Sequence, residues 1–170
     1  MVEPKVVKKT IKKVTTKKLT TKSGTSKKVT KTMTTKSVIT DKQKSTPVGG
    51  NDVMYLACIV YAEAGGESYN GKLAVANVVL NRKRSSKYPN SIYGVISQRG
   101  QFGPYRNGSF NKAISKYKSG CFTSGKSNAY TSSYKAAKAA LNGNNNVGKR
   151  CNFNTCGPSS AMRIGHHKFW

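Results

Sequence analysis

Carboxylic acids are scarce in this sequence, which narrows the search for a catalytic acid. The 170-residue chain carries 31 basic and 5 acidic residues, a formal net charge of +26, and Asp52, Glu63 and Glu67 are its only acids from residue 52 onward. Glu63 and Glu67 share the segment 61–68, Tyr-Ala-Glu-Ala-Gly-Gly-Glu-Ser, whose glycines let a bulky ligand approach the backbone. We therefore predict that Glu63 is a general acid/base. Glu67 is predicted to be a helix-entry residue or a second residue of the substrate groove.

The spacing of apolar residues predicts that Glu63 lies in the last turn of a helix. Apolar residues recur at three- and four-residue intervals over 53–64, at Val53, Leu56, Ala57, Val60 and Ala64. Asp52 is placed to cap the start of this helix, and Gly65-Gly66 ends it. The C-terminal end of a helix dipole disfavours a carboxylate, so we expect the pKa of Glu63 to be raised.

Further helices are predicted over 69–83, 91–97 and 129–141, with a Gly- and Tyr-rich loop over 98–110. The 69–83 segment is apolar almost all round, which favours a central buried helix with a basic exit at 81–84. The last quarter of the chain is predicted to form short strands. The fold class is thus α+β and helix-dominated, in a single domain that presents its active site as a groove.

Aromatic and amide side chains between the predicted helices suit sugar binding, because rings stack on pyranose faces and amides bond to hydroxyl and N-acetyl groups. The predicted substrate-binding residues are Glu67, Gln101, Phe102, Tyr105, Phe153, Asn154 and His167, with Asn107 in the same cluster. His167 has a second interpretation, as a hydrogen-bonded structural histidine.

Other chemistries are disfavoured by the residues present. A Ser/His/Asp triad lacks an aspartate, since Asp52 is better used as a helix cap. Two weaker alternatives remain. One is a peptidase that pairs Cys121 with His166 or His167, and the other is a zinc site built from the three late cysteines and one of these histidines. No cofactor and no metal are expected. Cys58 is predicted to be buried, and one disulfide among Cys121, Cys151 and Cys156 is expected outside a reducing compartment.

The first fifty residues form a separate unit by composition. They hold 14 Lys and 12 Thr against two acids, and they cannot form a hydrophobic core. We predict a basic, extended N-terminal arm over 1–50 and a folded domain over 51–170. The arm is either a solvated linker or a segment that binds polyanions such as anionic wall polymers, peptidoglycan or nucleic acid, or an assembly partner in a virion. No apolar run is long enough for a membrane span, and no signal peptide is recognised.

Several segments of the folded part match one known family in the order in which they occur. They are Leu-Ala-Cys-Ile-Val-Tyr-Ala-Glu-Ala-Gly-Gly-Glu-Ser-Tyr-Asn-Gly-Lys-Leu-Ala-Val-Ala-Asn-Val-Val-Leu-Asn-Arg at 56–82, Tyr-Pro-Asn-Ser-Ile-Tyr-Gly-Val-Ile at 88–96, Gly-Gln-Phe at 100–102, Ala-Leu-Asn-Gly at 140–143, Phe-Asn at 153–154 and Ile-Gly-His-His-Lys-Phe at 164–169. In these segments the chain resembles the catalytic domain of spore cortex-lytic, SleB-like cell wall hydrolases. The resemblance covers essentially all of residues 52–170.

This resemblance implies a lysozyme-like, transglycosylase-related domain that cuts peptidoglycan between N-acetylmuramic acid and N-acetylglucosamine, with Glu63 at the position of the family's catalytic glutamate. A lytic transglycosylase is the favoured interpretation. The alternatives are a muramidase that uses Glu67 as a second carboxylate, a non-enzymatic peptidoglycan-binding or virion structural protein, and a basic nucleic-acid-binding protein. The expected location is extracellular, at the cell wall or spore, or in a virion if a phage encodes the chain.

Overall fold

The computed structural model describes residues 49–170, which fold into six helices and three short strands. The helices are α1 (Asp52–Ala64), α2 (Tyr69–Arg84), α3 (Ile92–Ser97), α4 (Gly103–Arg106), α5 (Ser109–Lys118) and α6 (Asn128–Leu141). The strands are β1 (Phe153–Asn154), β2 (Met162–Ile164) and β3 (His167–Phe169). The helix-dominated α+β class is thereby confirmed. The predicted arm falls almost entirely on residues 1–48, outside the described residues.

Helix α2 is the central element of the domain. Every residue from Gly71 to Arg82 is buried, as expected for a helix that is apolar almost all round and packs against both α1 and α6. Its N-cap is Ser68, whose hydroxyl accepts a hydrogen bond from the backbone N–H of Gly71 at 3.3 Å. Within the described residues, no helix is both long and apolar enough to cross a membrane.

Polar side chains of α2 are buried because they hold a distant part of the chain. The Asn77 amide donates to the carbonyl of Asn144 at 3.1 Å, and the Asn81 amide donates to the carbonyls of Gly148 and Arg150 at 2.7 and 2.8 Å. These bonds satisfy backbone acceptors that burial would otherwise leave unpaired. They fix the 144–150 segment along α2 and so determine where the C-terminal strands begin.

The strands form one antiparallel sheet in the order β1-β3-β2. Phe153 pairs with Phe169 and Ile164 with His167 in the register of this sheet. Phe169 is fully buried, so the central strand β3 anchors the sheet to the helical core.

Two features differ from the sequence prediction. Asp52 is not the N-cap of α1; Asn51 takes that position, and the Asp52 carboxylate instead accepts from the Gly49 N–H and from Lys83 Nζ, each at 3.3 Å. The Asp52 carboxylate thus bonds to groups outside the first turn of its own helix. Helices α4 and α5 were not predicted; α4 lies in the segment assigned to a loop, and α5 buries Phe110 and Ala113.

Candidate active site

Glu63 lies in the last turn of α1, with its side chain half-buried at the edge of the core. The chain turns immediately after Ala64, and the turn requires a glycine. A Cβ at Gly65 would lie 2.6 Å from the Tyr61 carbonyl oxygen, which is too close for any other residue. The sequence therefore places the carboxyl where a helix stops and the backbone leaves room beside it.

Burial raises the pKa of Glu63 from 4.5 to about 7, and the positive charge of Arg82 opposes this rise. The direction agrees with the sequence expectation, and loss of solvation on burial is its main cause. A carboxyl that titrates near neutral pH can both donate and accept a proton in one reaction cycle.

Arg82 is a part of the site that the sequence prediction missed, since it was assigned to a basic exit of α2. It is 5% exposed, and its guanidinium lies over the rings of Tyr88 and Phe102, with centroid distances of 5.4 and 5.2 Å. Its Nε donates to the Cys151 carbonyl at 2.6 Å. Its burial could have been predicted from spacing, because Val75, Val78 and Arg82 follow one another at three- and four-residue intervals on one buried face of α2.

Three predicted substrate-binding residues, Phe102, Phe153 and His167, meet in one aromatic cluster beside Arg82. The Phe153 ring centroid lies 6.3 Å from Phe102 and 5.3 Å from His167. Phe102 is only 1% exposed, so the prediction that it stacks on a sugar does not agree with its position; it packs under Arg82 and Phe153. His167 is half-buried, and its buried Nδ1 has no hydrogen-bond partner among the described residues.

Glu67 lies in the α1–α2 connection and holds the turn between β2 and β3. Its Oε1 is 2.8 Å from His166 Nδ1, and its Oε2 accepts from the His166 backbone N–H at 3.2 Å. Burial opposes ionisation of Glu67, but the hydrogen bonds and charge of His166, helped by His167, lower its pKa overall. Lys72 Nζ donates to the Glu67 carbonyl from α2. Of the two sequence predictions for Glu67, a helix-entry residue or a groove residue, its position before α2 agrees with the first, and its side chain is occupied by His166.

The remaining candidates lie at the surface. Tyr105 shares a hydroxyl contact of 3.2 Å with Tyr93, which is 45% exposed, and these rings join Tyr55 on α1 and Phe110 on α5 in one cluster.

The predicted amide residues are also at the surface. The side chains of Gln101 and Asn154 are exposed, and Asn154 Oδ1 also accepts from the Thr155 N–H at 2.7 Å. Asn107 Oδ1 accepts from the Ser109 N–H at 3.0 Å, so this amide serves the turn before α5.

The cysteines do not form the expected disulfide. Cys58, Cys121, Cys151 and Cys156 are all free thiols in the structure. Cys58 is buried as predicted, and its burial raises its thiol pKa to about 12, so it stays protonated. Within residues 49–170, no three His, Cys, Asp or Glu side chains gather at one point.

The described residues form a helical domain with a half-buried carboxyl of raised pKa, which is an arrangement suited to acid/base chemistry. Comparison with known proteins identifies the family. The family model described as Cell Wall Hydrolase matches residues 66–170, more than half of the chain. The chain belongs to this family. The matched range begins three residues after Glu63.

Individual relatives agree with this assignment. The spore cortex-lytic enzyme of Bacillus subtilis (strain 168) is 54% identical over 46 residues, which cover 27% of this chain and 15% of that protein. The enzyme of the same name from Halalkalibacterium halodurans is 45% identical over 58 residues, covering 33% and 18%. The matched segments therefore span less than a fifth of these curated relatives.

Two solved structures are similar over a larger share. The catalytic domain of the germination-specific lytic transglycosylase SleB from Bacillus anthracis has 28% identity and a TM-score of 0.53, covering 73% of this chain and 98% of that one. The catalytic domain of the Bacillus cereus SleB protein has 27% identity and a TM-score of 0.55, covering 76% and 98%. The expected similarity to SleB-like catalytic domains is thus confirmed.

The contact between Glu67 and the β2–β3 turn predicts that replacing Gly165 destabilises the fold more than replacing another glycine of the same φ. A Cβ at Gly165 would lie 2.0 Å from Glu67 Oε2, and the φ of +60° is itself strained for other residues. Gly148 has the same φ of +60°, but only Arg150 Nη1 lies near, at 3.7 Å. Gly165→Ala should lower the free energy of unfolding by about 2–4 kcal/mol, and Gly148→Ala by about 1–2 kcal/mol, in urea titrations. Equal losses would show that Glu67 does not hold the turn.

Because the Glu63 carboxyl is partly buried, we predict that replacing it with a neutral amide stabilises the fold at high pH. Because its pKa rises from 4.5 to about 7 on folding, the unfolded chain loses this proton first, and stability is lost as pH rises through that window. Glu63→Gln should be more stable than the parent protein by about 1–3 kcal/mol at pH 8 and little different at pH 4, in urea titrations. Asp52→Asn is the matched control, since its carboxylate pairs with Lys83 and its loss should bring no gain. A Glu63→Gln protein less stable at pH 8 would contradict the burial of the carboxyl.

Proposed function

We propose that this domain cleaves peptidoglycan between N-acetylmuramic acid and N-acetylglucosamine as a lytic transglycosylase, with Glu63 as its single acid/base. The observation that carries the proposal is the half-buried Glu63 carboxyl, whose pKa of about 7 leaves both protonation states populated near neutral pH. Membership of the cell wall hydrolase family and similarity to a structure titled as a lytic transglycosylase support the reaction class.

In the first step, the Glu63 carboxylic acid gives its proton to the glycosidic oxygen. The C1–O4 bond breaks, its electron pair stays on that oxygen, and C1 of the muramic acid becomes an oxocarbenium-like centre. In the second step, the 6-hydroxyl of the same sugar attacks C1 and passes its proton to the Glu63 carboxylate. The acid is regenerated, no water is consumed, and the product has a 1,6-anhydro end.

The other acids of the folded domain are unsuited to a second catalytic role, which favours the transglycosylase over a muramidase. Asp52 lies eleven residues before Glu63, about 16 Å along the same helix, and pairs with Lys83. Both oxygens of Glu67 are occupied by His166. Hydrolysis by a carboxylate pair requires a second free carboxylate about 5 to 9.5 Å from the acid.

Several exposed side chains are suited to hold the glycan. The Tyr93 and Tyr105 pair presents ring surface on the side of Tyr55, two helical turns before Glu63 on α1. The exposed amides of Gln101 and Asn154 can bond to sugar hydroxyls and acetamido groups. Phe153 and His167, both half-buried, extend the surface beside Arg82, and Phe102 supports them from the core.

Replacing Glu63 should abolish lysis without unfolding the protein. Glu63→Gln keeps the shape of the side chain but has no proton to donate, so turnover of purified peptidoglycan should fall at least about 100-fold. Asp52→Asn serves as the control and should remain active. Mass spectrometry of products from the active protein should find fragments lighter by one water than hydrolytic fragments. Reducing-end muramic acid as the sole product would favour the muramidase, and full activity of Glu63→Gln would overturn the assignment.

We further propose that the Lys/Thr-rich arm attaches the enzyme to anionic wall polymers. The enzyme would then act at the cell wall or spore, or be carried in a virion if a phage encodes it. The first fifty residues have a net charge of +12 from 14 Lys and two acids. Deleting residues 1–48 should leave turnover of soluble glycan fragments unchanged and weaken binding to intact walls in pull-down assays. The difference should shrink as salt rises, because salt screens the charges. Equal wall binding by both proteins at low salt would contradict this role.

A further inference from the structure

The pleat of the C-terminal sheet divides its side chains between two faces. Phe153 pairs with Phe169, and their stacked rings lie 5.9 Å apart on the face that meets the core. Because side chains alternate along a strand, the residues on either side of this pair point the opposite way. The outer face of the sheet therefore carries Asn152, Asn154, Arg163, Lys168 and Trp170.

Trp170 is the exposed aromatic residue of this outer face. It is 38% exposed, and its backbone exchanges two hydrogen bonds with Asn152, at 2.9 and 3.1 Å, which continue the pairing of β1 with β3. The six-membered ring of its indole packs against Gly157, where a Cβ would lie 2.6 Å from Cζ3 and 3.0 Å from Cε3. The ring is thus held by its backbone and by Gly157, while much of its surface stays open to solvent.

Polar groups accompany the ring on the same face. Asn154 is exposed, and its Oδ1 already accepts hydrogen bonds from the next residue, so its amino group is the part available to a ligand. Lys168 Nζ donates to the Gly157 carbonyl at 3.3 Å, and Arg163, which pairs with Lys168, is exposed. The sequence has no Asp or Glu after residue 67, so these cations have no acidic neighbour in the sheet.

This combination is suited to a sugar of a wall polymer. An aromatic ring stacks on the apolar face of a pyranose, an amide bonds to hydroxyl and N-acetyl groups, and cations attract the carboxylates of the peptides that peptidoglycan carries. Among the described residues, Trp170 is the large apolar side chain exposed on this face; Met162, also 38% exposed, pairs with Phe169 on the other. A stable protein interface needs roughly 1,000 Å² or more, which strands of two or three residues do not offer.

We propose that Trp170 is a stacking platform for an N-acetylated sugar ring of the peptidoglycan glycan strand, an inference that rests on the proposed function. It adds to that function a binding surface on the face of the sheet opposite to Phe153 and His167. The Asn154 amino group bonds to the same sugar. A polymer of repeating sugars can engage this surface and the Glu63 site together, and two points of attachment slow its dissociation.

The chain contains a single tryptophan, so its intrinsic fluorescence reports on Trp170 alone. The full-length Glu63→Gln protein, which should not digest its ligand, is titrated with peptide-free glycan strands, and the emission and its quenching by acrylamide are recorded. The emission should move to shorter wavelength and the quenching constant should fall about twofold, because a stacked sugar excludes water and quencher from the indole.

Two results of this titration would overturn the proposal. One is unchanged emission and quenching at glycan concentrations that saturate binding in calorimetry. The other is a fall in quenching that follows protein concentration and needs no glycan, since a second copy of the chain would then cover the ring.

Variants made in the same Glu63→Gln protein separate the ring from the rest of the sheet. In calorimetry with the same strands, Trp170→Ala should weaken binding about tenfold, as loss of an aromatic anchor does, and Trp170→Tyr should retain most of the affinity. Asn154→Ala should weaken binding about threefold. Met162→Ala is the matched control, since Met162 has the same exposure on the opposite face, and it should bind like the parent protein.

Circular dichroism verifies that each variant folds. Equal affinities of folded Trp170→Ala and Met162→Ala would show that the ring is not the platform. If Trp170→Ala does not fold, the fluorescence titration and Asn154→Ala still decide, because neither removes the ring.

Failure of the proposed function gives a different pattern. If Glu63→Gln digests the strands, or if the active protein yields only reducing-end products, the transglycosylase assignment fails. If the active protein yields anhydro products and glycan leaves the Trp170 fluorescence unchanged, the stacking platform alone is wrong.

Discussion

Burial of one carboxyl at the end of α1 is the constraint on which the rest of the site depends. Loss of solvation raises the pKa of Glu63 to about 7, and the charge of Arg82 limits the rise. A carboxyl with a pKa of about 7 populates both protonation states near neutral pH, as a reaction that needs both requires. The tight turn at Gly65 keeps the carboxyl at the core edge where these two influences meet.

Helix α2 links this carboxyl to the C-terminal part of the chain. Its buried face supplies Arg82, whose charge lowers the pKa of Glu63 against the effect of burial, and its asparagines bind the backbone of the 144–150 segment. Glu67, just before α2, holds the β2–β3 turn through His166, a residue 99 positions later. The sheet that carries Phe153 and His167 is therefore positioned by the same helix that carries Arg82, which bonds to the Cys151 carbonyl just before β1.

Periodicity was enough to predict the three main helices and the place of Glu63. The expected bounds of 53–64, 69–83 and 129–141 differ from the observed helices by one residue at an end, because apolar spacing and glycine stops are local signals. Helix α5 has the same kind of local signal in the spacing of Phe110, Ala113 and Ile114.

The electrostatic details could not be predicted from local pattern. The environment of Arg82 requires Tyr88, Phe102 and Cys151, which converge only in the folded chain. The sequence prediction placed His167 in the groove and did not include the contact between His166 and Glu67. The two histidines are adjacent, and no local sequence feature distinguishes their roles. Asp52 directly precedes the apolar pattern of α1, which favours a cap, whereas its pairing with Lys83, 31 positions away, has no local signal.

The most direct test of this account is a ¹³C NMR titration of the glutamate side-chain carboxyls. The chain has three glutamates, Glu3, Glu63 and Glu67, so the spectrum contains few signals and Glu63→Gln identifies the relevant one. The account predicts that the Glu63 signal titrates with a pKa of about 7 and that the Glu67 signal titrates below 4.5. A Glu63 signal that titrates at or below 4.5 would contradict it, because the carboxyl would then be solvated and ionised when the reaction needs its proton.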